Sequence, residues 1–138
     1  MKLDLTMPAF SPLATALIVD DNDDIVYLLR FLLLREGFIV HTAATGRDAR
    51  DFIASSPPTD LVITDLMLPH VSGFDLIMQI RETPGWQDVP IIVLSAKVTE
   101  SDTVRALALG ANDYVSKPYN PRELTARIKR HVRLSKRA

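Results

Sequence analysis

The chain has 138 residues, of which 47% are hydrophobic and 24% charged, so it is long enough for one domain with a substantial core. The absence of cysteine excludes disulfides, thiolate catalysis and cysteine-ligated zinc. No apolar run approaches the roughly 18 residues of a membrane span, and Asp4, Pro8 and Pro12 interrupt any signal-peptide core, so we expect a cytoplasmic protein with no membrane partner.

Short apolar runs alternate with helix-length amphipathic segments along the chain. After a flexible lead-in over residues 1–14, the pattern predicts strands at about residues 16–20, 38–43, 61–65, 91–95 and 113–116. Helices are predicted between them, at about residues 22–36, 47–55, 73–82 and 100–109, with a last helix from residue 120. This alternation predicts a three-layer α/β sandwich around a five-stranded parallel sheet.

The predicted helix ends carry capping signals. Gly37 and Gly110 are placed to end two helices. Ser72 is a good N-cap, and Asn120-Pro121 combines an N-cap with a proline at the first helical position.

Chemically active side chains follow four of the five strands. Asp20 and Asp21 follow the first strand, Asp65 ends the third, Ser95 ends the fourth, and Lys117 follows the fifth. The carboxyl ends of strands in an open parallel sheet share one edge, where ligands bind. Three carboxylates, a hydroxyl and an ammonium suit a divalent cation together with a phosphoryl group.

Magnesium is the cation that this set of ligands favours. Mg²⁺ prefers oxygen ligands and uses few carboxylates, completing its shell with water and phosphate oxygens. Asp20, Asp21 and Asp65 would supply the carboxylates, and the backbone carbonyl of Met67 could add a further oxygen. The alternative for Asp20-Asp21 is helix capping, because acids are favourable at a helix N-terminus.

The remaining strand-end residues also have ordinary interpretations. Lys117 could be a solvated surface cation, or it could pair with Asp65 or a phosphoryl oxygen. Ser95 could donate to a phosphoryl oxygen, but we do not interpret it as a nucleophile, because no histidine base is placed to activate it.

Taken together and in order, these motifs resemble the receiver domain of two-component response regulators, over about residues 15–134. The matching segments are Val19-Asp20-Asp21, Asp65-Leu66-Met67-Leu68-Pro69 with Ser72-Gly73, Leu94-Ser95-Ala96, and Gly110-Ala111-Asn112-Asp113-Tyr114-Val115-Ser116-Lys117-Pro118. The resemblance implies a flavodoxin-like sheet with strand order 2-1-3-4-5.

The resemblance also implies a role for each site residue. Asp65 would accept a phosphoryl group from a phosphohistidine on a sensor histidine kinase or phosphotransfer protein, while Asp20 and Asp21 would hold Mg²⁺. Ser95 and Lys117 would be the switch hydroxyl and the phosphate-binding lysine. Tyr114 would be the aromatic that turns inward with the switch, although it could also be an ordinary edge tyrosine. Activation would be a population shift of the face formed by the fourth helix, fifth strand and fifth helix.

Two other functions remain open at this point. A Mg²⁺-dependent aspartyl phosphohydrolase uses similar chemistry, but it carries a second acid two residues after its nucleophile, where this chain has Met67. A receiver-like interaction module that is never phosphorylated usually lacks one of the acids, the hydroxyl or the lysine. This chain lacks none of them, so we expect a signalling domain whose only chemistry is its own phosphorylation and dephosphorylation.

The sequence makes several further predictions about single features. The Lys117-Pro118 bond should be cis, because X-Pro is the bond at which cis is accessible and the resemblance points the same way. Ile25, Leu28, Leu29 and Leu32 form a stripe suited to the core, whereas Tyr27, Phe31 and Leu34 form a second stripe that is either covered by neighbours or a docking patch. His41, His70 and His131 are assigned to surface or structural duty, and Trp86 to anchoring a loop.

The C-terminal stretch is strongly basic, which bears on whether the chain binds nucleic acid or an acidic partner. Residues 118–138 hold seven basic residues and one acidic residue, which we interpret as an exposed helix face followed by a basic tail or linker start at 135–138. DNA binding by this chain alone is not expected, although an output domain or downstream protein is possible. Asp113, Glu123 and Arg127 match positions of a known dimer face, but the basic partner falls on Thr103, so we expect a monomer or weak dimer.

Met67 and Lys97 should control the lifetime of the phosphorylated form.

Overall fold

The computed structural model describes residues 14–96 and 99–137, with side chains as far as Val132. Strands and helices alternate through the described residues, as the sequence predicts. The elements are β1 (Thr15–Val19), α1 (Asp23–Arg35), β2 (Ile39–Ala43), α2 (Gly46–Ser55), β3 (Leu61–Thr64), α3 (Gly73–Glu82), β4 (Ile91–Ser95), α4 (Glu100–Leu109), β5 (Asp113–Ser116) and α5 (Pro121–Arg137). Residues 1–13 of the expected lead-in lie outside the described residues, and α5 continues into the segment interpreted as a tail.

The five strands form one parallel sheet in the order β2-β1-β3-β4-β5, which confirms the predicted fold. The three central strands are almost wholly buried, and the mixed polar strand β2 lies at one edge. One apolar core joins the sheet to α2, α3 and α4, and a second joins its other face to α1 and α5. None of the described helices is long and apolar enough to cross a membrane.

The capping signals explain where the helices begin and end. Asn22, Thr45, Ser72, Thr99 and Asn120 each accept hydrogen bonds from backbone N–H groups in the first turn that follows them. Gly37 and Gly110 have positive φ values of 92° and 122°, the backbone region that favours glycine at a helix C-terminus.

The predicted core stripe of α1 is wrong in one respect. Leu29 and Leu33 are the buried residues, whereas Leu28 is 49% exposed. Leu29 and Leu33 are four residues apart and therefore lie on the same side of the helix, the side that faces the sheet. Leu28 lies at the edge of that side and is turned outward. The second stripe, Tyr27, Phe31 and Leu34, is uncovered by the described neighbours and lies at the surface.

Trp86 is more deeply buried than a loop anchor requires. It precedes β4, is 1% exposed, and packs edge-on against Phe52 of α2. Its indole N–H donates to the carbonyl of Ser56, 3.3 Å away, directly after the end of α2. Trp86 therefore closes the core at the amino-terminal edge of the sheet.

Candidate functional site

Four strand ends bring the predicted site residues together at the carboxyl edge of the sheet. Asp20 and Asp65 follow β1 and β3, Ser95 ends β4, and Lys117 follows β5. Asp20, Asp65 and Ser95 are buried, and Asp21 is exposed at the rim. Burying carboxylates is unfavourable unless they are paired or hydrogen-bonded, so their partners define the site.

Lys117 joins the two buried carboxylates. Its Nζ lies 2.9 Å from Asp20 Oδ2 and 2.8 Å from Asp65 Oδ2. Burial lowers the pKa of Lys117, but its hydrogen bonds to Asp20 and Asp65 outweigh burial and raise that pKa above its ordinary value. Lys117 is thus a paired cation rather than a solvated one. The cis bond predicted between Lys117 and Pro118 is confirmed.

The other oxygen of Asp65 is held by three donors. Its Oδ1 accepts from the backbone N–H groups of Leu66, at 2.6 Å, and Met67, at 3.1 Å. It also accepts from the Ser95 hydroxyl at 2.9 Å. These bonds fix the orientation of the Asp65 carboxylate and place the Ser95 hydroxyl beside it.

Asp20, Asp21 and Asp65 form an acidic cluster. Each contributes a carboxylate oxygen, and these oxygens lie within 4.8 Å of one another. Helix capping does not explain the cluster, because Asn22 caps α1 and Asp20 Oδ1 accepts from the Asn22 N–H at 2.9 Å. That these three carboxylates and the Met67 carbonyl are metal ligands remains a prediction, and the Met67 side chain is 62% exposed.

A glycine holds the loop after β3 against α3. A Cβ on Gly73 would overlap the Asp65 carbonyl oxygen, so a larger residue does not fit there without a shift of the backbone. The Gly73 N–H also donates to the Leu66 carbonyl at 2.9 Å. The start of α3 therefore sits directly on the backbone that carries Asp65. His70, in the same loop, is exposed and has a positive φ of 72°.

Tyr114 faces the site from β5. It lies opposite Val93 in the sheet register and packs against the core beneath α4. Burial raises the pKa of Tyr114, although the nearby side chains of Thr103 and Ser95 act in the opposite direction. The role of Tyr114 in the switch remains a prediction.

A charged network covers the junction of β5 and α5. Arg127 Nη1 lies 3.0 Å from both oxygens of Asp113, and Arg127 Nη2 lies 2.9 Å from Glu123 Oε2. His131 Nε2 lies 3.1 Å from the same Asp113 carboxylate. Burial alone would raise the pKa of Asp113, but hydrogen bonds from His131 and Arg127 lower it. The sequence analysis predicted no partner for His131, although its four-residue spacing from Arg127 puts both residues on one face of α5.

An apolar groove lies beside α1 on the same side of the molecule as Lys117. Its volume is about 450 Å³, and it is lined by Ile25, Leu28, Phe31, Leu32, Arg35, Pro118, Tyr119 and Pro121. The lining joins the exposed side of α1 to the residues directly after Lys117.

Known proteins share this sequence pattern and this fold. Residues 16–129 match the family described as response regulator receiver domain. The alkaline phosphatase synthesis transcriptional regulatory protein SphR of Synechococcus elongatus is 41% identical over 97% of this chain and 54% of its own length. Response regulator SaeR of Staphylococcus aureus is 41% identical over 81% of this chain and 47% of its own length. The chain thus spans about half the length of these curated relatives.

Solved structures give the same result. A response regulator from Chloroflexus aurantiacus has a TM-score of 0.80 and 35% identity, with 87% of this chain and 98% of that one covered. The receiver domain of sensor histidine kinase PA1611 from Pseudomonas aeruginosa, solved with a magnesium ion in its active-site cleft, has a TM-score of 0.78 and 28% identity, with 86% and 97% covered. With its five parallel strands in this order and its acids, hydroxyl and lysine at one sheet edge, the chain belongs to the receiver domain family of two-component response regulators.

Proposed function

We propose that Asp65 accepts a phosphoryl group from a phosphohistidine on a sensor histidine kinase or phosphotransfer protein. The observation that carries this proposal is the position of Asp65, whose two oxygens contact Ser95 and Lys117 while the Asp20 and Asp21 carboxylates lie beside them. Receiver domains are in general signalling domains rather than turnover enzymes, and this role suits a site with one acceptor. The proposed reaction takes place in the cytoplasm.

In the transfer, an oxygen of Asp65 forms a bond to phosphorus as the bond between phosphorus and the histidine nitrogen breaks. The electron pair of that bond stays on the imidazole nitrogen. Lys117 Nζ and the Ser95 hydroxyl now contact Asp65 oxygens and are placed to donate to phosphoryl oxygens instead. Such a reaction depends mainly on positioning and on neutralisation of charge.

The residues present also fit Mg²⁺. Three carboxylates and one lysine leave two uncompensated negative charges at the site, and clustered carboxylates favour a bound cation. Asp20, Asp21 and Asp65 would hold the ion together with the Met67 carbonyl, in keeping with the hard oxygen ligands that Mg²⁺ prefers. When bound, Mg²⁺ supplies positive charge to the phosphoryl oxygens.

The output would be a population shift of the face formed by α4, β5 and α5. Ser95 of β4 donates to Asp65, β4 pairs with β5, and Tyr114 of β5 packs against the core that includes Ala106 of α4, so a change at Asp65 has a contiguous route to this face. The recipient would be an output domain or a separate downstream protein. The relative SphR is called a transcriptional regulatory protein, which makes a DNA-binding output domain the first candidate.

The two alternative functions are less well supported by the geometry. A phosphohydrolase needs an acid two residues after its nucleophile, but Met67 is apolar and its side chain is directed to the surface. A module that is never phosphorylated has no need for a partly buried lysine between two carboxylates.

Incubation with radiolabelled acetyl phosphate distinguishes the three functions. We expect stable, stoichiometric, Mg²⁺-dependent labelling of the wild type and none of Asp65→Asn. Asp21→Ala should require more Mg²⁺ for half-maximal labelling. Asp51→Asn is the matched control, because Asp51 is an exposed aspartate on α2 and should be labelled like the wild type.

Three results would contradict the proposal. Undiminished labelling of Asp65→Asn would show that another residue is the acceptor. Continuous release of phosphate from an external ester would indicate a hydrolase. A wild-type chain that folds but takes no label would be an interaction module.

A further inference from the structure

The outward side of α1 carries a row of four exposed residues, each four positions after the last. The row consists of Asp23, Tyr27, Phe31 and Arg35, so two aromatic side chains lie between an acid and a base. Tyr27 is 71% exposed and Phe31 is 53% exposed. Residues four apart lie on one side of a helix, and this side is opposite to the one that faces the sheet.

The charges at the two ends of this α1 row are not used inside the described part of the chain. The ion pairs there involve neither Asp23 nor Arg35. The Arg35 guanidinium instead lies over the Phe31 ring, 5.7 Å from its centroid, which keeps a cation beside the aromatic pair. A groove of about 240 Å³ on the same surface is lined by Tyr27, Arg30, Phe31 and Leu34. Exposed apolar area bordered by charge is typical of an interaction site.

The α1 row is complementary to itself when two copies meet antiparallel. A two-fold axis midway between Tyr27 and Phe31 brings Tyr27 opposite Phe31 of the second copy and Asp23 opposite its Arg35. Each of these pairings then occurs twice, as in any isologous interface. A parallel arrangement would bring acid to acid and base to base, and a partner with charge of one sign would match only one end of the row.

We propose that the α1 row is the interface of a weak antiparallel dimer formed by two copies of this chain. The dimer needs no change at Asp65 and does not rest on the proposed phosphorylation. It is weak because exposed ion pairs contribute little and one helix face is a small interface. Phe31 also lines the groove that reaches Pro118, so a second copy on the row limits the access of another protein to this part of α1.

Sedimentation equilibrium of the full chain, without Mg²⁺ or a phosphodonor, measures the association. We expect a reversible dimer that added salt weakens. Asp23→Lys and Arg35→Glu should each raise the dissociation constant about tenfold, because every dimer of one variant contains two repulsive contacts. Phe31→Ser removes apolar contact area instead and should also weaken the dimer. Circular dichroism verifies that each variant is folded.

A mixture of the two charge variants is the sharpest test of the antiparallel pairing. In a mixed dimer the lysine introduced at position 23 faces the glutamate introduced at position 35, and the native Asp23 and Arg35 face each other. An equimolar mixture, with one variant fluorescently labelled, should therefore associate about as tightly as the wild type. Arg47→Glu reverses an exposed charge on α2, on the other side of the sheet, and should change nothing.

A chain that stays monomeric at millimolar concentration would overturn the inference. So would a dimer that the charge variants leave unchanged, or a mixture that associates no better than either variant alone. In those cases the α1 row would be covered by residues 1–13 or would bind a different protein. The association is measured on the unphosphorylated chain, so failure of this inference can be distinguished from failure of the proposed phosphorylation of Asp65.

Discussion

Lys117 determines whether two buried carboxylates are tolerated at one sheet edge. Without its ammonium, Asp20 and Asp65 would face each other with only backbone and hydroxyl donors to compensate them. In Mg²⁺-free buffer at neutral pH we expect Lys117→Met to lower the free energy of unfolding by about 2 kcal/mol, since breaking a partly buried ion pair leaves charge uncompensated. Urea denaturation measures the difference.

The pH dependence tests the same pair. The pKa of Lys117 is raised in the folded chain, so its stabilising contribution is complete below the ordinary lysine value of about 10.4 and is lost as the pH rises through the folded value. The stability difference between the wild type and Lys117→Met should therefore narrow in strongly alkaline buffer. A difference that stays constant well above that value would show that the ion pair is not its source.

Of the two residues predicted to control the lifetime of the phosphorylated form, Met67 lies within the described part of the chain. Its apolar side chain lies at the rim of the site and cannot orient an attacking water, so we expect slow autodephosphorylation that Met67→Asn accelerates. Lys97, the other predicted residue, lies outside the described residues, and Lys97→Glu completes the test. Met78→Asn makes the same change at another exposed methionine and should have no effect. A double variant within about twofold of the wild type, or about 0.4 kcal/mol in barrier, would refute the prediction.

At this scale, sequence reasoning was effective where chemistry follows a strand. Asp65 and Lys117 could be placed at one edge, because parallel strands share a direction and a buried charge needs a partner. The contact of His131 with Asp113 could not be placed in this way. It depends on the rotation of α5 about its axis against β5, which a short amphipathic pattern does not fix to within one residue.

Among the helices, α1 exposes more apolar surface than packing on a sheet requires. Phe31 is 53% exposed and lines the groove that reaches Pro118. We expect Phe31→Ala to slow phosphoryl transfer from a phosphohistidine protein that labels the wild type by about tenfold, which corresponds to about 1.4 kcal/mol of docking free energy. Labelling by acetyl phosphate, which needs no docking surface, should be unchanged.

The control for this prediction is an equally apolar residue away from the groove. Ile39 on β2 is 43% exposed, so Ile39→Ala removes apolar surface without touching α1. Equal slowing by both variants, or slowing with acetyl phosphate as well, would show that the groove is not the docking surface.

Helix and strand positions were predictable to within a residue or two because the sequence contains strong helix-capping and helix-ending signals. Asn120-Pro121, Ser72 and the two glycines each fix an end through hydrogen bonds that the backbone would otherwise lack. The inward side of α1 was predicted less well. Its leucines are nearly continuous, and such a run has no polar residues to mark which leucines face outward.

For the molecule as a whole, the three charged residues that match a dimer face, Asp113, Glu123 and Arg127, are already paired within the chain. Arg127 contacts Asp113 and Glu123 of its own chain, so pairing across a dimer would have to replace existing contacts. We expect at most a weak dimer in the beryllofluoride-bound state, measured by light scattering. Arg130→Ala, on the exposed side of α5, is the control for Arg127→Ala. A tight dimer that only Arg127→Ala abolishes would contradict this prediction.

The fold itself was the most predictable level. Five alternations of strand and helix leave few arrangements that bury both faces of a sheet, and the observed order β2-β1-β3-β4-β5 agrees. The output domain of a longer regulator could not be predicted in the same way, because a linker and a separate domain leave no trace in the packing of the receiver.

The burial of Trp86 has a spectroscopic consequence. It is the only tryptophan in the chain, and it lies at the edge of the sheet opposite to Asp65. Its emission should be blue-shifted in the native state and should move sharply to the red in denaturant, yet stay nearly constant when Mg²⁺ is added. Tryptophan fluorescence of this chain should therefore report unfolding, and it should not report changes at Asp65.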